Sequence, residues 1–148
     1  MTSSRVNPMP KWVTGPCSLP VRHQSLVDVP LIATLCTLGR DAPMLSAVWY
    51  EWVNGGINCA VPPDGVIARN LARRPWVGLM VAGTSTPYCG VEYRGEVVVT
   101  DDYLPVLSRL ARRYLGSREG ERYMVGHPPN LHLRLEVGRF RMWDDAAT

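Results

Sequence analysis

The chain has a single lysine, Lys11, against fifteen arginines, so a role that needs a lysine side chain has one position to fill it. The arginine excess reads as codon usage rather than as a built anionic-partner surface. Charge of either sign is modest: 20% of residues are charged and the net charge is +3, which gives no footing for a nucleic-acid partner. No stretch approaches the roughly 20 apolar residues of a membrane span. The first twenty residues carry Pro8, Pro10, Gly15, Pro16 and Pro20 and no apolar signal core. The chain is therefore expected in the cytoplasm, away from membranes. Its four cysteines, Cys17, Cys36, Cys59 and Cys89, form no CxxC pair. That spacing argues against a disulfide framework or a metal site and for buried free thiols in a reducing compartment. There is no Ser-His-Asp order, glycine-rich phosphate loop or zinc signature.

What remains is strand-forming sequence. At 148 residues, 46% of them hydrophobic, the chain suits one domain with its own core. Prolines through residue 30 predict an irregular N-terminal arm, residues 1–30, that Trp12 and Val13 could anchor. The domain proper is expected over residues 31–143, with a tail at 144–148. Residues 31–38 are apolar and β-branched and end at a Gly39-Arg40-Asp41 turn. Residues 44–53 alternate and end at Asn54-Gly55, a hairpin signal. Residues 57–61 return. A short helix follows, with Asp64 as its cap and Arg74-Pro75 as its end. Strands are expected at 76–82 and 88–100. Asp101 and Asp102 are read as caps of a second helix with an apolar stripe at Leu104, Leu107, Leu110, Ala111 and Tyr114, stopped by Gly116. Residues 131–143 form the last strand. Six strands with two helices leave too few crossovers for a parallel sheet, so the expected class is mainly β (α+β), an antiparallel barrel.

Five strings in this order carry a family resemblance. They are Ile32-Ala-Thr-Leu-Cys-Thr-Leu-Gly-Arg-Asp-Ala-Pro43, Ser46-Ala-Val-Trp-Tyr50, Arg69-Asn-Leu-Ala-Arg-Arg-Pro-Trp-Val77, Val91-Glu-Tyr-Arg-Gly-Glu-Val97 and Arg112-Arg-Tyr-Leu-Gly116. Together they resemble the pyridoxamine 5'-phosphate oxidase-like split β-barrels, nearest to the small reductases that use the deazaflavin coenzyme F-420 or FMN. The resemblance implies a six-stranded antiparallel split barrel, a homodimer, and a cofactor at the subunit interface. It places the cofactor ring against Met44, Ser46 and Val48. It places the phosphate near Ala60, Val61, Gly65, Ile67, Arg69 and Asn70, where a helix N-terminus offers N–H groups to an anion. Tyr88 is a further pocket residue, and Tyr88 and His127 are the candidate proton donors.

The sequence departs from that pattern at two positions. The family usually has basic side chains two and four residues before the arginine matching Arg69; here these are Ile67 and Gly65. Charged donors hold phosphate more strongly than neutral ones. Two functions follow as expectations. One is an oxidoreductase passing hydride between F-420 or FMN and a small apolar unsaturated substrate, with the cofactor supplying the chemistry. The other is a barrel without its flavin site, acting as a cofactor-independent cyclase or isomerase or as a small-molecule-binding protein. A weaker third reading is a haem or metabolite module using Cys59, His127 or Tyr88. Beside each sharp role stands a plainer one. Arg69 can be a surface helix residue, Trp49, Tyr50 and Trp52 can be packing, and Tyr93 can be a core residue with a bonded tip. His23 and His132 form no cluster with His127 by sequence.

Overall fold

A computed structural model describes residues 11–147. Part of the predicted arm, residues 1–10, lies outside the described residues. Among these residues ten strands form two antiparallel sheets. The larger sheet runs in the order β1 (Trp12–Thr14), β10 (Gly138–Asp144), β7 (Cys89–Glu96), β6 (Trp76–Ala82), β2 (Ala33–Leu38), β3 (Pro43–Val48). The smaller one runs β4 (Glu51–Val53), β5 (Gly56–Val61), β9 (Leu131–Leu135), β8 (Val98–Thr100). Their inner faces share one core, including Leu35, Ile57, Leu79, Tyr93, Leu133 and Phe140, each at most 2% exposed.

The mainly antiparallel α+β class holds, and the difference in strand count is informative. Three of the long predicted strands each break once and give one half to each sheet: 44–53 becomes β3 and β4, 88–100 becomes β7 and β8, 131–143 becomes β9 and β10. Each break is held by a tertiary hydrogen bond. At Tyr50 the backbone N–H donates to the Tyr114 hydroxyl (3.1 Å). At Val97 it donates to the Pro75 carbonyl (2.9 Å). At Val137 the carbonyl accepts from the Tyr93 hydroxyl (2.9 Å). The periodicity of the chain runs through these points; only the folded partners bend it.

The described residues form four α-helices rather than two. The expected pair are α2 (Val66–Arg73) and α3 (Leu104–Leu115). Neither has the predicted side-chain cap: Gly65 stands at the N-cap of α2 and Tyr103 at that of α3, so Asp64, Asp101 and Asp102 do not cap. Pro105 does sit in the first turn of α3, where no N–H is needed. The predicted arm is not irregular where it is described. Trp12–Thr14 pairs with β10, and α1 (Val21–Asp28) lies between Pro20 and Pro30. The prolines bracket this helix instead of forbidding it, since a proline is tolerated just before a first turn. Only His23 and Val27 are buried on α1, so it shows no apolar stripe. The fourth helix, α4 (Ser117–Met124), restarts after Gly116, which has φ 85°. Gly120 lets it lie on α3: a Cβ there would come within 2.8 Å of the Arg112 backbone nitrogen.

The last carbonyls of α1 are tied to the rest of the molecule. The Arg113 guanidinium donates to Val27 O (2.7 Å), Asp28 O (3.0 Å) and Val29 O (2.9 Å). The buried Tyr50 hydroxyl lies 3.0 Å from Val27 O and 3.2 Å from Val29 O. Burial holds that phenol well above the usual range, keeping it a donor. Arg113→Ala strands three carbonyls, and hydrogen bonds to charged groups contribute about 1.5–3 kcal/mol each at most. We expect a loss of about 2–3 kcal/mol for Arg113→Ala and about 1 kcal/mol for Tyr50→Phe in urea unfolding. Unchanged midpoints in both variants would remove this clasp as a stabilising element.

Candidate functional site

Strand β3 is an edge strand whose side chains alternate. Met44, Ser46 and Val48 share a face with Thr37, Leu35 and Ala33 of β2 and turn inward, while Leu45 and Ala47 turn outward and are exposed. Helix α2 packs at the Met44 end. The Asn70 amide donates to Thr37 Oγ1 (3.0 Å) and accepts from Arg73 (2.5 Å), with Met44 Sδ 4.0 Å away. Asn70 and Thr37 are 3% and 1% exposed. The structure thus brings Met44 and Asn70 together, but the Asn70 amide nitrogen locks α2 onto β2 and its oxygen is taken by Arg73 within α2. Thr37 was not singled out by sequence; a strand threonine carries no signal of this pairing.

The segment leading into α2 holds the remaining predicted phosphate residues. Val61 is core, and Ala60 faces out opposite His132 of β9. Gly65 has extended backbone (φ −83°, ψ 173°), and a Cβ there would meet only ordinary contacts, the nearest being Pro62 O at 3.7 Å. Ile67 packs against the core. Helix α2 has no side-chain cap, and its first intrahelical bond runs from Arg69 N to Gly65 O. The N–H groups of Val66, Ile67 and Ala68 therefore lack intrahelical acceptors. Arg69 is exposed, yet its guanidinium folds back to donate to Asp64 O (2.9 Å). A cationic side chain and three free amides thus meet at one helix end, where the dipole also favours an anion.

The two candidate proton donors lie elsewhere. Tyr88 is 46% exposed in the β6–β7 loop, where its carbonyl accepts from Asp145 N. That loop is at the far end of β6 from α2, roughly 20 Å away by strand rise. His127 follows α4, its ring 4.4 Å from Tyr123 and its Nε2 accepting from Asn130 (3.2 Å). Trp49 stacks on Tyr114 (4.9 Å, 5°) and leans on Tyr123, so the strand aromatics serve packing. Tyr93 is core with a bonded tip, as its plainer reading holds, and burial pushes its phenol up to about 12. Cys59 is fully buried, which pushes its thiol up to about 12. Cys59, His127 and Tyr88 sit on three separate elements. A separate cleft of about 520 Å³ is lined by Cys17, Leu19, Gln24, Trp52, Asn54 and Gly55, none of them a predicted site residue.

Sequence reasoning also missed a polar chain on the outer face of the smaller sheet. Glu51, 7% exposed, accepts from Arg109 (2.7 and 3.1 Å) and from the Asn58 amide (3.0 Å). The Asn58 carbonyl oxygen in turn accepts from His132 Nε2 (2.9 Å) and Arg134 (3.2 Å). Since the Asn58 nitrogen is given to Glu51, His132 must donate through Nε2. Burial, then the neighbouring Arg134, lowers the His132 pKa. A histidine with a lowered folded pKa contributes stability above its unfolded pKa, near 6.5, and loses it as pH falls toward the folded value.

No protein-family profile and no curated protein matches this chain. Solved structures do. A conserved hypothetical protein from Mycobacterium tuberculosis aligns with TM-score 0.72 at 23% identity, over 91% of this chain and 90% of that one. An F420 reductase aligns with TM-score 0.66 at 22% identity, over 82% and 98%. A putative pyridoxamine 5'-phosphate oxidase from Listeria innocua aligns with TM-score 0.64 at 11% identity, over 80% and 93%. The fold is the pyridoxamine 5'-phosphate oxidase-like split barrel. No helix among the described residues is long and apolar enough to cross a membrane.

Urea midpoints should fall between pH 7.5 and pH 5.5, the interval of about one unit either side of a free histidine. His132→Gln should flatten that fall. An equally steep fall in the variant would show that His132 does not drive it.

Proposed function

We propose that this split barrel is an oxidoreductase that holds F-420 or FMN by its phosphate at the N-terminus of α2 and works on a small apolar unsaturated molecule. The observation that carries this reading is the Arg69 guanidinium folded back to Asp64 O at an uncapped helix end. The bound coenzyme would supply hydride transfer. The chain's own part is to bind, orient and exclude water. Val66, Ile67 and Ala68 amides with Arg69 would hold the phosphate. The inward face of β3, with Met44, Ser46 and Val48, would form a wall for the ring. Ile32 and Leu45, 55% and 69% exposed beside the β3 edge, are the apolar surface a second copy would cover in a homodimer. A cytoplasmic location goes with this reading.

A second reading has its own support. Ile67 is turned into the core and Gly65 has no side chain, so neither offers a charge to phosphate, and Asp64 adds a negative one beside them. On that reading the barrel is a cofactor-independent cyclase or isomerase, or a small-molecule carrier.

Fluorescence titration with FMN and with reduced F-420 separates the two. The redox reading predicts binding of one of them, weakened about tenfold, or 1.4 kcal/mol, by Arg69→Ala. It also predicts tighter binding in Gly65→Lys, because the position has room and ordinary backbone. No binding of either coenzyme to the wild type or to Gly65→Lys would exclude the reductase.

A further inference from the structure

The outer face of the smaller sheet carries a line of polar groups that ends at a hydroxyl. Thr100 of β8 and His132 of β9 are cross-strand partners, and the Thr100 hydroxyl lies 3.5 Å from His132 Nδ1. The other ring nitrogen, Nε2, donates to the Asn58 carbonyl oxygen (2.9 Å). Asn58 is fixed the right way round, because its amide nitrogen donates to the Glu51 carboxylate (3.0 Å), which only accepts. Glu51 is held in turn by Arg109 of α3 (2.7 Å). Asn58 and Glu51 are 5% and 7% exposed, so the support is built into the protein, while Thr100 is exposed. The arrangement gives His132 one tautomer, with the proton on Nε2 and the lone pair of Nδ1 facing a hydroxyl. Burial, Arg134 and Arg109 lower the His132 pKa against the pull of Asp102 and Glu51, so the ring is neutral and Nδ1 is free to accept a proton near neutral pH.

A hydroxyl, an imidazole set to accept its proton and a buried amide that orients the imidazole are the three parts of an activated nucleophile. The contact from Thr100 is long, and nucleophile–base pairs are often loose until a substrate closes them. Tying α3 to the sheet accounts for Glu51, Asn58 and Arg109; it leaves the exposed Thr100 and the Nδ1 side of His132 without a task. We infer that Thr100 and His132 form an acyl-transfer site for small uncharged esters, with Asn58 as the positioning residue. Thr100 Oγ1 adds to the ester carbonyl carbon as its proton passes to His132 Nδ1. The bond from that carbon to the alcohol oxygen breaks, and His132 returns the proton to the departing alcohol. Water then adds to the acyl-threonine, its proton taken by the same Nδ1. The carboxylic acid leaves and the Thr100 hydroxyl is restored. The Leu104 N–H, four residues on at the start of α3, has no intrahelical acceptor and is a donor for the oxyanion. The exposed carboxylates of Asp101 and Asp102, next in the chain, disfavour an acidic ester, and the open position of Thr100 suits a short acyl group. The site uses no residue of β3 or of the α2 N-terminus, so it does not rest on the reductase reading.

The test is hydrolysis of para-nitrophenyl acetate by the full chain, with peptide mass spectrometry of the protein quenched during turnover. The folded chain should hydrolyse the ester faster than the urea-unfolded chain, which carries the same side chains, and the acetyl group should be found on Thr100. Thr100→Val and His132→Gln should each lower the rate about a hundredfold, the scale of a lost acid–base partner, and Thr100→Ser should keep it. Circular dichroism confirms that the variants are folded, and Thr100→Val, at an exposed position, decides the matter if His132→Gln is not. Long-range ¹H–¹⁵N NMR reads the positioning role: the wild-type His132 ring should carry its proton on Nε2, and Asn58→Ala should release the Nδ1–H tautomer as the rate falls. Acetyl found only on Lys11 or a cysteine, a rate indifferent to Thr100→Val, or a wild-type ring protonated on Nδ1 overturns the proposal.

Discussion

The hydrogen bond from the Tyr50 amide to the Tyr114 hydroxyl marks the place where β3 leaves one sheet and the chain enters the other. Tyr114 closes the joint by donating to Leu31 O (2.5 Å), just before β2 begins. Its neighbour Arg113 clasps the end of α1 beneath the Tyr50 ring. One turn of α3 therefore fixes the bend of the edge strand, the start of its partner strand and the docking of the N-terminal helix. Because side chains alternate along a strand, a slip of one residue at that bend would turn Met44, Ser46 and Val48 out and Leu45 and Ala47 in. The face that β3 offers to a ligand depends on this joint.

The second constraint is electrostatic. With one lysine in the chain, far from α2 in sequence, any anion held at that helix relies on backbone amides and arginine. The Arg69 guanidinium reaches back over one turn to the loop before the helix, where it donates to Asp64 O. Arg73, the other arginine of α2, is spent on Asn70 instead. The polar chain from His132 through Asn58 to Glu51 and Arg109 serves a different purpose: it ties α3 to the outer face of the smaller sheet.

The fold was largely legible because strand alternation and turn residues are local signals. The runs ending at Gly39, at Asn54-Gly55 and at Pro62 appear where the chain placed them. The three breaks were not legible, because Tyr114, the Pro75 carbonyl and Tyr93 create them from distant positions. Helix α1 was hidden by its flanking prolines and by having only two buried residues, and α4 by the glycine that lets it touch α3. At the site, the composition of the α2 segment was legible but the use of each side chain was not. Asn70 bonds Thr37 of β2 through its amide nitrogen, and Ile67, at a position where the resemblance implied a basic side chain, packs against the core. Those differences come from which face of an eight-residue helix meets the barrel, which its short amphipathic pattern leaves open.

The α2 N-terminus is the proposed anion site, and amide NMR of the ¹⁵N-labelled chain titrated with FMN and with reduced F-420 reads that position directly. The amides of Val66, Ile67 and Ala68 should shift together and saturate with the same dissociation constant as the coenzyme's fluorescence change. Shifts confined to the cleft around Cys17 and Trp52, with those three amides unmoved at saturation, would contradict that proposal.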